Sequence, residues 1–168
     1  MKEKVPYEDA VDLLDSDHKA VKKMFIDYTA LCENQALADD RRVLALKICA
    51  ALTVHAQIEE EIFYPAVQGA IGDDALMQEA LQEHAQAKAT IVQIKKMDAD
   101  DMAYDDTVKK LGKLIDAHVL EEREQIFLKA RLSTLDLRGL AVPLYARKKQ
   151  LGKTPEVTEP AVRRRVPA

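Results

Sequence analysis

The sequence predicts an all-α protein, an antiparallel up-down-up-down four-helix bundle with a short C-terminal extension helix. Three observations carry this. The 168 residues are 48% hydrophobic but only 5% aromatic, with no Trp and five Gly. Chains rich in Ala, Leu, Glu, Lys and Gln favour helix, because these side chains lose little rotamer freedom there. Apolar residues recur every three or four positions in four long segments. Turn-forming residues gather between them, at 33–39, 69–74 and 98–106. Helices of ~20–30 residues joined by short links pack up-down-up-down by default.

The first helix is read from Val11, Leu14, His18, Val21, Phe25 and Tyr28, and the second from Leu44, Ile48, Leu52, His55, Glu59 and Ile62. Met77, Leu81, His84, Ala87, Ile91 and Ile94 mark the third; Leu111, Ile115, His118, Glu122 and Ile126 mark the fourth. Ser133-Thr134-Leu135-Asp136 offers caps for a fifth helix reaching about Leu151, with Pro143 expected to kink it. After Gly152 the chain loses periodicity and gathers Pro and Arg, the signature of disorder. The expected organisation is a bundle over 1–132, an extension helix over 133–152 and a disordered basic tail over 153–168.

Charge narrows the partners. Residues 131–168 hold nine Lys/Arg and three acids, +6, so the first 130 residues, with 16 bases and 26 acids, carry −10 of the overall −4. An acidic body is a poor surface for nucleic acid, and none is expected as a partner. No apolar run approaches the ~20 residues of a membrane span, and the N-terminus lacks a secretory h-region. Cys32 and Cys49 form no CxxC site or disulfide framework, so both read as core filler in a reducing cytoplasm. Nucleotide-binding G-x-G-x-x-G and G-x-x-x-x-G-K-[ST] patterns are absent.

One feature does not suit a simple bundle. A histidine interrupts every apolar stripe, and glutamates interrupt the second and fourth. A buried polar group without a partner costs ~1–3 kcal/mol or more. The six intrusions also repeat: Asp17-His18-x-x-x-Lys22 resembles Glu83-His84-x-x-x-Lys88, and His55-x-x-x-Glu59 matches His118-x-x-x-Glu122. Ile62-Phe63 finds an echo in Ile126-Phe127. The repeat uses all four histidines of the chain.

Residues four apart share a helix face, so each His-x-x-x-Glu pair can point at the bundle axis, with His18 and His84 facing them. Imidazoles with carboxylates suit iron, and also zinc or manganese. Six donors exceed the four of one tetrahedral zinc and fit two metals. With both glutamates bridging, each ion receives two His nitrogens and two carboxylate oxygens. A shared oxo or hydroxo group then leaves one position open. Ferritin-like sites use Glu-x-x-His instead, which is absent at His55 and His118.

The stretches Asp17-His18-Lys19, His55-Ala-Gln-Ile-Glu59-Glu60-Glu61-Ile-Phe-Tyr64-Pro65, Glu83-His84 and His118-Val-Leu-Glu121-Glu122 resemble the hemerythrin-like, or HHE cation-binding, domains over residues ~8–130. The resemblance implies a four-helix bundle with a non-haem di-iron site. It makes His18, His55, Glu59, His84, His118 and Glu122 the metal ligands, the two glutamates bridging. Lys88 stands where oxygen-carrying members have a fifth histidine, and Glu122 stands in place of their Asp five residues after the fourth-helix histidine. The four-His, two-Glu set is more similar to di-iron proteins that repair iron–sulphur centres, and to an iron-sensing domain of a ubiquitin-ligase subunit. The function implied is binding, sensing or reaction with O2, peroxide or NO, in oxidative or nitrosative stress. Iron sensing or storage without turnover is the alternative, and the chain does not decide whether it is an enzyme.

Around these six, Leu14, Leu52, Leu81 and Ile115 are expected to keep the site dry. Asp15, Asp17, Glu83 and Asp116 are candidates to orient histidines by accepting the second ring N–H. Against Asp17 and Glu83, each immediately precedes a histidine and so points ~100° away from it. Glu60, Glu61, Glu121 and Glu124 read as solvated charges, Lys22 and Lys88 as surface lysines, and Tyr28 and Tyr64 as core.

Overall fold

A computed structural model describes residues 4–153. Helix α1 spans Ala10–Glu33, started by the Asp9 carboxylate, which accepts from the Asp12 N–H at 2.8 Å. Helix α2, Ala38–Ile58, runs without a break through a wider π turn, Glu59–Phe63, into α3, Tyr64–Ile71. Gly72, at φ 63°, supplies the left-handed residue that ends this rod. Helix α4, Asp74–Lys96, is capped by Asp73. Helix α5, Tyr104–Glu121, continues through a second π turn, Glu122–Phe127, into α6, Leu128–Leu132.

These four rods close a ring in which α1 and α4 each lie against both α2 and α5. Helix α7, Leu137–Lys153, crosses the outside on α1 and α2. Among the described residues there is no strand, and no helix is long and apolar enough to cross a membrane. The helix breaks at 34–37 and 72–73 fall within the predicted intervals, and the third, 97–103, starts one residue before its own. The last helix begins later than the predicted 133, because Asp136 rather than Ser133 caps it, accepting from the Gly139 N–H at 3.0 Å. Pro143 sits inside α7 without ending it, and Lys153, expected in the tail, is its last residue. The expected disorder of the remaining tail, 154–168, lies outside the described residues.

The apolar core comes in two parts. One gathers Leu13, Leu14, Ile58, Phe63, Val67, Ile126 and Leu144 at one end; the other gathers Val21, Tyr28, Ile48, Leu52, Ile91 and Leu111 at the other. The four histidines and two glutamates form the layer between them. Along α1 the order makes this plain: Leu13 and Leu14 belong to one part, Val21 and Tyr28 to the other, and His18 lies between.

Leu81 and Ile62 depart from the predicted stripes, while Phe25, Leu44 and Ile115 keep their faces but are half-buried. Leu81 is 40% exposed, and its neighbour Ala80 takes the inward place. Past Glu59 the stripe passes to Phe63 and Val67, leaving Ile62 half-buried. The π turn causes this: it puts one extra residue into the helical turn and moves the inward face along by one.

Candidate metal centre

All six predicted residues converge. The histidine rings meet in two pairs, His18 with His55 at 3.1 Å and His84 with His118 at 3.2 Å, each between Nε2 atoms. The glutamates lie across the pairs. Glu59 Oε1 is 2.9 Å from His55 Nε2 and 3.5 Å from His84 Nε2. Glu122 Oε1 is 3.1 Å from His18 Nε2, and its Oε2 is 3.3 Å from His118 Nε2. Each carboxylate thus touches one histidine of each pair. Candidate ligand atoms of Glu59, His84, His118 and Glu122 all lie within 4.8 Å of one another, and so do those of His18, His55 and Glu122.

The outer ring nitrogens fix how the inner ones point. His55 Nδ1 meets Asp17 Oδ2 at 2.9 Å, His84 Nδ1 meets Glu60 Oε2 at 3.0 Å, and His118 Nδ1 meets Glu83 Oε1 at 3.1 Å. A carboxylate accepts only, so the Nδ1 of these three rings carries the proton. In the neutral ring Nε2 then presents a lone pair to the centre. No hydrogen bond reaches either oxygen of Glu59 or Oε1 of Glu122, although all three atoms are buried. A buried layer of converging lone pairs without donors is unstable by itself, and a cation is what satisfies it. The residues present therefore fit a metal.

Without one, protons take part of that role. Burial pushes the His118 imidazole down, but Glu122, Glu59 and Glu83 outweigh it and raise its pKa to about 9. Burial likewise works against His55, and Glu59 and Asp17 hold it well above the ordinary value. Burial disfavours the charged Glu122, yet His118 and His18 beside it hold its carboxyl well below the ordinary range.

The supporting carboxylates correct the sequence reading. Asp17 and Glu83 do point away from the histidines they precede. That direction aims each at the adjacent rod, where Asp17 meets His55 and Glu83 meets His118. Glu60, read as a solvated charge, holds His84 and is itself held by Lys88 at 2.7 Å. Of the other two candidates, Asp116 pairs with Lys22 at 3.0 Å, and Asp15 stays 3.7 Å from His18 Nδ1 because Arg123 binds it at 2.7 Å. His18 Nδ1 is left without a hydrogen bond.

Tyr64, read as core, belongs to the site. Its hydroxyl donates to Glu122 Oε2 at 2.5 Å and lies 3.2 Å from His84 Nε2. Burial and the charges of Glu122 and Glu59 push that phenol well above its ordinary pKa, so it stays protonated. In a regular α-helix a residue five beyond Glu59 would point ~140° away from it. The π turn, with Tyr64 N–H bonded to Glu59 C=O, brings it round. Phe127 stands five beyond Glu122 in the same way and stacks on His18, centroids 5.7 Å apart. The Ile62-Phe63 and Ile126-Phe127 echo was thus one residue out of register; Tyr64 and Phe127 are the structural counterparts. A shared five-residue spacing from glutamate to aromatic was the signal available. Tyr28 does fill core, its hydroxyl donating to Asp105 at 2.6 Å.

Beside the layer is a cavity of about 30 Å³ lined by the four histidines and by Val21, Leu52, Ala87, Ile91 and Ile115. Of the residues expected to keep the site dry, Leu52 and Ile115 are here, while Leu14 lies in the core part beyond and Leu81 faces outward. The space holds a molecule of about water size.

Comparison with known proteins adds three findings. The family model of the hemerythrin HHE cation binding domain matches residues 9–130. A Nostoc sp. (strain PCC 7120) protein named DNA nickase is 29% identical over 122 residues, 71% of this chain and 33% of that protein, so the chain spans about a third of that relative's length. The crystal structure of a hemerythrin HHE cation binding domain-containing protein from Mycobacterium kansasii matches with a TM-score of 0.71. It is 20% identical and covers 85% of this chain and 86% of that one, a likeness of fold.

Proposed function

This chain belongs to the hemerythrin HHE cation-binding family, and from that premise we propose that its buried layer holds two metal ions, iron foremost, which bind or react with a small ligand such as O2, peroxide or NO. The observation that carries this reading is the crossing of the carboxylates: each glutamate touches one histidine of each pair. Two ions, one at each pair, would be held by all four histidines and both glutamates and would supply the cation that the unpartnered oxygens of Glu59 and Glu122 lack. A single ion leaves one histidine pair and part of each carboxylate buried without a partner. The ligand set is therefore His18, His55, His84, His118, Glu59 and Glu122.

Iron, when bound, supplies the redox change and an open position for the ligand. The chain does the rest. Carboxylates behind three histidines fix ring orientation and raise basicity. The apolar wall of the cavity excludes bulk water, and its volume of about 30 Å³ restricts the ligand to a few heavy atoms. The Tyr64 hydroxyl, from the core part on the other side of the layer, holds a proton at Glu122 Oε2. Such a small, mostly apolar site suits a small ligand better than a polymer, which separates this reading from the name of the Nostoc relative. A role in oxidative or nitrosative stress in the cytoplasm follows as the setting in which that chemistry serves.

The test is metal content of protein purified from iron-supplied cells, with absorption spectra before and after peroxide and NO. Two irons per chain and ligand-dependent bands are expected. At most one ion per chain, after anaerobic loading with ferrous iron, overturns the two-metal reading.

A further inference from the structure

Helix α7 lies beyond the residues matched by the family model, yet it reaches the metal layer. Lys148 of α7 pairs with Asp17 Oδ1, while Asp17 Oδ2 accepts from His55 Nδ1 at 2.9 Å. The carboxylate is thus divided between an ammonium from outside the bundle and an imidazole aimed into it. Asp17 is 11% exposed at this contact and Lys148 32%, so water competes only partly for the pair. The ammonium also stands 5.9 Å above the ring of Tyr7. Glu83 stands in the corresponding place behind His118, and among the described residues no lysine reaches it.

We propose that Lys148 is a positioning residue for one half of the metal centre: by pinning Asp17 it sets the ring of His55, and through it α7 controls the affinity of the ion held by His18 and His55. The proposal rests on the two-metal reading above. An aspartate on a helix surface has several rotamers open to it, and only those that hold Oδ2 on Nδ1 keep Nε2 aimed at the centre. The ammonium on the other oxygen selects among them. His18, in the same half, has no hydrogen bond at Nδ1, so the orientation of this half falls chiefly on Asp17. Binding is reciprocal: if α7 strengthens that ion, the ion strengthens the docking of α7. A partner engaging α7 would alter one ion and spare the other.

The full chain is loaded anaerobically with Co(II), whose visible bands report each equivalent, in wild type, Lys148→Met, Lys148→Arg and Arg147→Met. Arg147 is the control, because it ties the same helix to Glu61 at 2.8 Å without touching Asp17. Wild type is expected to bind two equivalents. Lys148→Met weakens one of them ~10–100-fold, the range for losing an outer support of a ligand, and leaves the other unchanged. Lys148→Arg restores it to within a few-fold, and Arg147→Met leaves both. Amide exchange over 137–153 slows when the second equivalent binds to wild type and does not in Lys148→Met. Two unchanged equivalents in Lys148→Met overturn the proposal alone. Equal weakening by Lys148→Met and Arg147→Met also overturns it, since α7 would then serve only the fold. A wild type that takes up no cobalt overturns it together with the two-metal reading.

Discussion

His84 and His18 occupy equivalent places in the two hairpins, yet what stands behind them differs. Behind His84 is Glu60, held in turn by Lys88. The counterpart of Glu60, one residue past the second glutamate, is Arg123, and it draws Asp15 to itself and leaves His18 Nδ1 without a hydrogen bond. The aromatic residues diverge as well. Tyr64 offers a hydroxyl to Glu122 in the His84 half, where Phe127 only stacks on the ring of His18. The two halves share their inner donors and differ in their outer supports. Inner donors decide whether a metal binds, and outer ones decide how firmly it is held and what chemistry stands beside it.

The comparison breaks most completely at Glu122, which touches both pairs. Glu122→Ala is expected to weaken both equivalents more than ~100-fold, beyond the range for outer supports, as read by anaerobic metal titration. Retention of one intact equivalent would show that the carboxylate serves a single half.

Metal removal exposes the next effect. With its pKa raised to about 9, His118 stabilises the metal-free fold fully below its unfolded value of 6.5, and that contribution is lost as pH rises through about 9. The loss is roughly 3 kcal/mol, and His55, shifted the same way, adds to it. Urea unfolding of chelated protein at pH 6 and pH 9.5 should show the fall. The loaded protein, whose ions take the place of those protons, should show little. Equal pH profiles with and without metal would contradict this.

Outer supports come third. Glu60→Gln should weaken one equivalent ~10–100-fold. Asp15→Asn, 3.7 Å from its histidine, should change either by less than ~3-fold, at the level of a weak exposed contact. Similar losses in both variants would mean that the halves are supported alike. Smallest for the metal is Tyr64→Phe, which makes the two aromatic positions the same. It should keep two equivalents and lower stability by about 1.5–3 kcal/mol, the value of a hydrogen bond to a charged group. Loss of an ion in that variant would make the phenol a ligand.

The bundle was legible because helix stripes and turn residues are local signals, and the breaks at Asn34, Gly72 and Asp98 announce themselves in composition. The six inner donors were legible because they repeat and because hydrophobic stripes make a buried histidine conspicuous. Their supports were not. Asp17 and Glu83 serve histidines on adjacent rods, a relation that depends on how helices pack and not on spacing along either one. Glu60 sits in an acidic run where nothing local separates it from Glu61, which meets Arg147 at the surface. Tyr64 was hidden by an assumed uniform helical period, and Leu81 by a one-residue choice between it and Ala80.

That period has a consequence for how this chain tolerates change. Between Glu59 and Tyr64, and between Glu122 and Phe127, the backbone carries one residue more than a regular helix needs to span the same turn. Removing a single residue there would let an ordinary helix form, with good backbone bonds and sensible hydrophobicity. The aromatic side chain, then four residues past its glutamate, would keep its face to within about 40°, and so would every inward residue after it. These two turns therefore tolerate the loss of one residue and not the gain of another, which would turn everything beyond by about 100°. A one-residue deletion there is expected to keep the site, whereas a one-residue insertion would carry Tyr64 or Phe127 away from it while all six donors stay in place.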